Sequence, residues 1–256
     1  MAGTLVIQSY RSRTEPDWIA ACLKSVRAWA AREGWDYRFV GDEIVERMPD
    51  WYRERAQGRW PVITDLARLL LARDALAEGR DRVLWVDADV LVFGAAGPDL
   101  SAAGEADYGF CRELWVQPDG GGIRVYRNVH NALCWFRPGN PVLDFYIHAC
   151  ERIVGRLDGG APNQIVGPKL LTALHNMLGF PLLDDVGMAS PLVARDLAAG
   201  GGPALARLIA ESPVPLRAIN LCASLAGREV DGVGIDDVLM RAVVARLRDE
   251  GERLFS

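Results

Sequence analysis

The chain has 256 residues, half hydrophobic and a quarter charged, which suits one large domain with a substantial core and argues against long disordered stretches. A formal net charge of -5 and a pI near 5.3 give no overall field for DNA, RNA or an anionic membrane surface. Five widely spaced cysteines without a C-x-x-C pair suggest neither a disulfide framework nor a zinc site, and nowhere do eighteen apolar residues run together, so the chain reads as cytoplasmic with no transmembrane segment.

In chain order, "TLVIQSY" (4–10) is a short β-branched run that predicts a buried first strand. A helix is expected next, with Thr14 as N-cap and Pro16 in its first turn. Trp18, Ile19, Cys22, Leu23, Val26, Trp29 and Ala30 recur at helical spacing, and Gly34 ends it. "WDYRFV" (35–40) alternates as a half-covered strand does, so the opening is β-α-β. An irregular polar segment follows. "TDLARLLLARDALAEG" (64–79) predicts a second helix with Leu66, Leu69, Leu70 and Leu76 inward, and "RVLWVDADVLVF" (82–93) a strand buried on both faces. Beyond residue 95 the pattern loosens. A loop and strand are expected at 120–128, a strand at 131–136, a helix from Pro141, helical stretches near 166–178 and 232–250, and a turn at 198–203. An α/β half followed by a mixed α+β half, in one domain spanning 1–256, is the resulting architecture.

Asp87 and Asp89 stand inside the apolar run at 82–93, where a carboxylate without a partner costs several kcal/mol. They require a cation or a strand end that opens to solvent. In an open parallel sheet, ligands bind in the crevice outside the carboxyl ends of the strands. Residues i and i+2 on extended backbone point the same way, so both carboxylates can converge on one hard cation such as Mg2+ or Mn2+, which would clamp a diphosphate. The plainer reading is that one aspartate caps the turn and the other is solvated. Asp65 and Arg68, three apart on the preceding helix, share a face; taken alone they are a surface ion pair of little worth. The order of D-x-x-R helix, glycine turn and apolar strand ending in D-x-D is more specific than any part of it.

"TDLARLLLARDALAEGRDRVLWVDADVLVF" resembles the sugar-binding D-x-D region of the mannosyltransferase-like glycosyltransferase family 32 and of the related clostridial glucosylating toxins. Here "EGRDR" stands in place of Gly-Gly and Trp85-Val86 in place of Tyr-Leu. "CLKSVRAWAAREGWDYRFVGDE", "NALCWFRPGNPVLDFYIHACER" and "IVGPKLLTAL" are similar to further parts of that family, so the resemblance covers roughly residues 4 to 180.

The resemblance implies a GT-A fold, Rossmann-like with a mainly parallel sheet, in which residues 1–95 bind a nucleotide sugar and 96–256 an unidentified acceptor. It implies transfer of a hexose from a UDP- or GDP-sugar with retention at the anomeric carbon, dependent on Mn2+ or Mg2+. Asp89 would bind the metal and Asp87 the ribose and the metal. Asp65 and Arg68 would face the donor hexose, with Asn131 and Gln164 as polar neighbours of the sugar, while Gln8 and Tyr10 would cradle the base. The family's C-terminal metal-ligand His is replaced in "RAINLCASLAG" (217–227) by Asn220, whose amide oxygen is a serviceable ligand, with Ser224 near the diphosphate. Trp115, Trp135 and the segment "DGGGIRVYRN" are candidates for the acceptor wall, against an ordinary core role.

Two rival readings use the same residues. A haloacid-dehalogenase-like phosphohydrolase also places D-x-D at a strand end, and "FPLLDDVGM" would supply Asp184 and Asp185. A catalytically silent nucleotide-sugar or glycan binding module is the other, suggested by the missing histidine.

Overall fold

The first strand forms as expected, β1 (Thr4–Ser9), and the amphipathic stretch after it is α1 (Asp17–Arg32), with every residue of its apolar stripe buried. The computed structural model describes residues 3–11, 15–159 and 162–255. Pro16 occupies the N-cap position of α1, and the Thr14 cap lies outside the described residues. Asp17 in the first turn and Arg32 in the last complement the helix dipole. Strand β2 (Asp36–Val40) completes the β-α-β unit.

The segment after β2 is more ordered than its polarity suggests. It holds a 3-10 turn (Asp42–Arg47) and α2 (Asp50–Ala56), in which only Tyr52 and Ala56 are buried, a stripe too short to register as periodicity. Helix α3 (Trp60–Ala77) starts four residues before Thr64, with Pro61 in its first turn, where a missing N–H costs nothing.

The run at 82–93 is two strands, not one. β3 (Arg82–Val86) ends at the first aspartate. A turn closed by the Val90 N–H on the Asp87 carbonyl (3.1 Å) then sends β4 (Val90–Val92) into a different sheet. A second difference lies beyond residue 105. β5 (Tyr108–Asp119) and β6 (Gly122–Phe136) form one long antiparallel hairpin where a loop and two short strands were expected. Gly120 and Gly121, both at positive φ, make the two-residue turn that matches strand twist. A register shift between Gly109 and Cys111 breaks the alternation that would have announced β5.

Helix α4 (Leu143–Gly155) starts two residues after Pro141, because the Asn140 side chain accepts from the N–H groups of Val142 (3.2 Å) and Leu143 (2.8 Å). Then follow α5 (Pro168–Leu178), the short strands β7 (Leu182–Leu183) and β8 (Val186–Met188), α6 (Pro191–Ala199) and α7 (Pro203–Glu211). The expected turn at 198–203 is the link between α6 and α7, neither of which was anticipated. The chain ends with β9 (Ala218–Asn220), β10 (Arg228–Val230), β11 (Val233–Ile235) and α8 (Asp237–Phe255), so the helical stretch near 232–250 begins with a strand.

The main sheet has the order β2-β1-β3-β6-β5-β7, and only β6 runs against the other five strands. One face carries α3, α4 and α5 around Leu66, Leu69, Phe110, Phe136 and Tyr146. Against the other, Val26 and Trp29 of α1 pack on Val6, Leu84 and Leu133. A smaller sheet, β4-β9-β8, joins α6, α7 and α8 in a further core around Leu91 and Ile219. All five cysteines are buried and free. Among the described residues no helix is long and apolar enough to cross a membrane.

Candidate active site

β3 pairs with β1 on one side and β6 on the other, and its carboxyl end is where the sheet opens. The Asp87 N–H donates to the Ala132 carbonyl at 2.7 Å, which fixes the aspartate to β6 as β3 ends. Its Oδ1 accepts from Trp85 Nε1 (2.6 Å) and lies 3.2 Å from Arg68 Nη1. About a quarter of the side chain, 26%, stays exposed, so the carboxylate is anchored on one side and open on the other.

Arg68 arrives from α3 and is buried. Its Nη1 donates to the Asn131 carbonyl (2.6 Å), its Nε to the Thr64 carbonyl (3.2 Å), and its Nη2 stands 3.2 Å from Asp65 Oδ1, while the guanidinium lies over the Trp85 ring at 5.2 Å. Asp65 Oδ1 also accepts from Asn131 Nδ2 (2.9 Å). Tyr146 Oη lies within 3.3 Å of the same amide and donates to the Val166 carbonyl (2.7 Å). Gly167 closes the cluster, since a Cβ there would sit 2.5 Å from Asp65 Oδ2. Burial pushes the Asp65 carboxyl up to about 6 against the opposing pull of Arg68 and Asn131. Burial works against the charge on Arg68, but Asp87 and Asp65 outweigh it and hold the guanidinium ionised.

Asp89 stands on the other side of the turn. Its Oδ1 accepts from Asn220 Nδ2 (2.8 Å) and its Oδ2 from the Ala223 N–H (2.7 Å). Burial first, then the neighbouring Asp87, push its carboxyl up to about 6; Asp87 is likewise raised by burial, opposed by Arg68 and Trp85. Asp65 and Asp87 thus share one guanidinium while Asp89 has only neutral donors, which leaves negative charge that a divalent cation would neutralise. Among the described residues no group of three His, Cys, Asp or Glu could hold a metal. Two half-buried carboxylates are nonetheless what Mg2+ or Mn2+ takes from a protein when waters and substrate phosphates complete its shell. Asn220 is committed elsewhere in this arrangement, because its amide oxygen accepts from the Cys222 N–H (2.7 Å) while its nitrogen holds Asp89.

Of the other sequence candidates, Gln8 is fully buried on β1. It donates to the Asp87 carbonyl (3.2 Å) and accepts from the Tyr37 hydroxyl (3.1 Å), so it braces the strand end. Tyr10 is half-buried beside Arg11. Gln164 is exposed in the turn that leads to Gly167, and Ser224 is exposed in the 3-10 turn (Ala223–Leu225) whose first N–H holds Asp89. Trp135 is core, not wall: it is 2% exposed, packs over Gly109 and donates to the Ala106 carbonyl at 3.3 Å. Asp184 pairs with Arg112 and Asp185 accepts from the Asp99 N–H, so both have partners of their own.

Trp85, Tyr146 and Gly167 were not anticipated as parts of the cluster. Their signals in the sequence are those of core aromatics and a turn glycine, and only the fold brings an indole N–H, a phenol and a missing Cβ to these carboxylates.

No family model matches the chain, and no curated protein sequence matches it. Among solved structures it is similar to a glycosyltransferase involved in the glycosylation of the major capsid of PBCV-1. That likeness has 11% identity and a TM-score of 0.47, over 86% of this chain and 92% of that one. It is also similar to A197 from STIV, at 11% identity and a TM-score of 0.27, over 69% of this chain and 78% of that one. At these values neither neighbour identifies what this chain does.

Proposed function

We propose that this chain is a GT-A-type glycosyltransferase resembling family 32, which moves a hexose from a UDP- or GDP-sugar to an acceptor with retention, using Mn2+ or Mg2+. The observation that carries the reading is Arg68. From one helix position it lies 3.2 Å from both Asp65 and Asp87, so the D-x-x-R helix and the D-x-D strand end form one cluster at the carboxyl edge of β3. Neither motif alone requires the other.

In this reading Asp87 and Asp89 hold the cation, which when bound supplies positive charge to the departing diphosphate. Asp65 accepts from hydroxyls of the donor hexose, with Arg68 and Asn131 fixing its orientation. Tyr10 would cradle the base, Ser224 would serve the diphosphate and Gln164 the sugar, while Gln8, fully buried, would act only by bracing the strand end. The protein's contribution is mainly orientation in a partly desolvated site. A cytoplasmic location belongs to the same reading, since five buried free thiols suit a reducing compartment.

The test is a screen of UDP- and GDP-hexoses for slow Mn2+-dependent hydrolysis, with loss in Asp89→Ala. Turnover of small phosphomonoesters with none of any nucleotide sugar would contradict the proposal, and metal-dependent UDP binding without turnover of any donor would assign a binding module instead.

A further inference from the structure

The long hairpin runs on past the rest of the main sheet. β6 pairs with β3 only from Phe136 to Leu133, and β5 pairs with β7 only at Phe110 and Cys111. Over the part beyond, the register fixes what each face carries. Leu114 and Val116 of β5, with Ile123 and Val125 of β6, lie on one side and pack into the core that holds Leu205 and Leu208 of α7. The other side carries three cross-strand pairs in succession: Glu113 with Asn128, Trp115 with Tyr126, and Gln117 with Arg124.

This second face is not built as core. Trp115 and Tyr126 are half-buried, and neither belongs to any of the three hydrophobic cores. Among the described residues the Trp115 indole N–H, the Tyr126 hydroxyl and the Gln117 amide have no hydrogen-bond partner, whereas the indoles of Trp18, Trp85 and Trp135 all donate to one. The Arg124 guanidinium stacks 4.8 Å from the Tyr126 ring centre, with its Nη1 3.6 Å from Asp119 Oδ2. Glu113 is 7% exposed, and its Oε1 accepts from Asn128 Nδ2 at 2.8 Å, the one partner it has among the described residues. Its second oxygen is left without a donor, a cost that a ligand hydroxyl would relieve.

The groups on this face select their ligand. No aliphatic side chain lies among them, so a protein partner finds no apolar centre to bury, and an acid beside a guanidinium gives no net field for phosphate or nucleic acid. An indole flanked by an acid, two amides and a guanidinium suits a sugar ring instead. The C–H face of the ring lies on the aromatic surface, while its hydroxyls donate to and accept from the planar polar groups alongside. β6 makes the face continuous with the donor cluster, because its Asn131 amide holds Asp65 and its Ala132 carbonyl holds the Asp87 N–H at 2.7 Å. At about 3.4 Å per residue, Asn128 lies roughly 14 Å and Tyr126 roughly 20 Å along the strand from Ala132, a span for a chain of sugars and not for one.

We propose that this face of the hairpin is a binding surface for an oligosaccharide, with Trp115 as the stacking platform and Glu113, Gln117, Arg124 and Asn128 as partners of its hydroxyls. That the oligosaccharide is the acceptor of transfer rests on the donor-site reading above; saccharide binding itself does not.

The experiment screens the full chain, without donor or metal, against an array of neutral oligosaccharides built from glucose, mannose, galactose and N-acetylglucosamine. Calorimetry then measures the best of them with the parent and with Trp115→Ala, followed by UDP with Mn2+ for both. The expected result is saccharide affinity lowered about tenfold or more in the variant, with UDP affinity within about twofold of the parent. A parent chain that binds no oligosaccharide of the array, or a variant that binds the best one within about twofold of the parent, overturns the assignment. So does self-association in light scattering that Trp115→Ala abolishes, without saccharide binding, since the face would then be a contact between copies. Saccharide binding that depends on Trp115, in a chain that binds neither UDP nor GDP, supports the surface and overturns the donor reading alone. Should Trp115→Ala not fold, Gln117→Ala removes one amide only; a fall of about threefold or more in saccharide affinity supports the surface, and an unaltered affinity overturns it.

Discussion

Arg68 reaches two carboxylates and two backbone carbonyls from one buried position. Its removal therefore does more than lose a contact, because it leaves Asp65 and Asp87 unpaired. Arg68→Ala is expected to cost about 3–5 kcal/mol in urea unfolding; a loss under about 1 kcal/mol would mean the carboxylates are protonated or solvated. Asp65 gives a pH signature. Its folded value of about 6 lies above the roughly 3.9 of an unfolded aspartate, so the folded state binds the proton more tightly and loses relative stability as pH rises through that window. Asp65→Asn, neutral throughout, should gain on the parent between about pH 4 and pH 6 by on the order of 2–3 kcal/mol, and a flat difference would contradict the assigned burial. Asp65, Arg68 and Asp87 were legible in the sequence because their charges stand at fixed spacing around apolar runs. Trp85 and Tyr146 were not, because an aromatic side chain declares its packing in the sequence and not the partner of its one polar atom.

Elements position the cluster by close approach. Gly167 precedes α5 and presses on Asp65, so Gly167→Ala must move either the α5 entry or the carboxylate. The expected outcome is a loss of about 1–3 kcal/mol in thermal or urea unfolding together with weaker UDP binding; full stability and full binding would show that the loop yields freely. The β-α-β opening, α3 and β3 were readable because each is strongly patterned and bounded by glycine or charge. The β5–β6 hairpin was not, since a register shift and polar residues on its overhanging part hide its period. The split of residues 82–93 into β3 and β4 is a tertiary effect. Both pieces have strand character, and the turn through Asp87–Asp89 decides which sheet each joins.

At the scale of the molecule, the main sheet and the β4-β9-β8 sheet meet at that turn, so the carboxylates sit where two cores are joined. Asp87 is anchored to β6, and Asp89 to the Asn220–Ala223 segment. A cation bound between them should brace both sheets. Mn2+ is therefore expected to raise the melting temperature near pH 7.5, and the gain should fade as pH drops through about 6, where Asp89 takes a proton. A pH-independent shift would place the ion elsewhere. The central claim is that the helix and strand motifs make one metal-dependent nucleotide-sugar site. It is tested most directly by calorimetric titration of UDP and GDP into the protein with Mn2+, with EDTA, and into Asp89→Asn with Mn2+. Binding in the first case alone is the predicted result; equal binding in EDTA or in the variant, or none of either nucleotide to the parent protein with Mn2+, would contradict it.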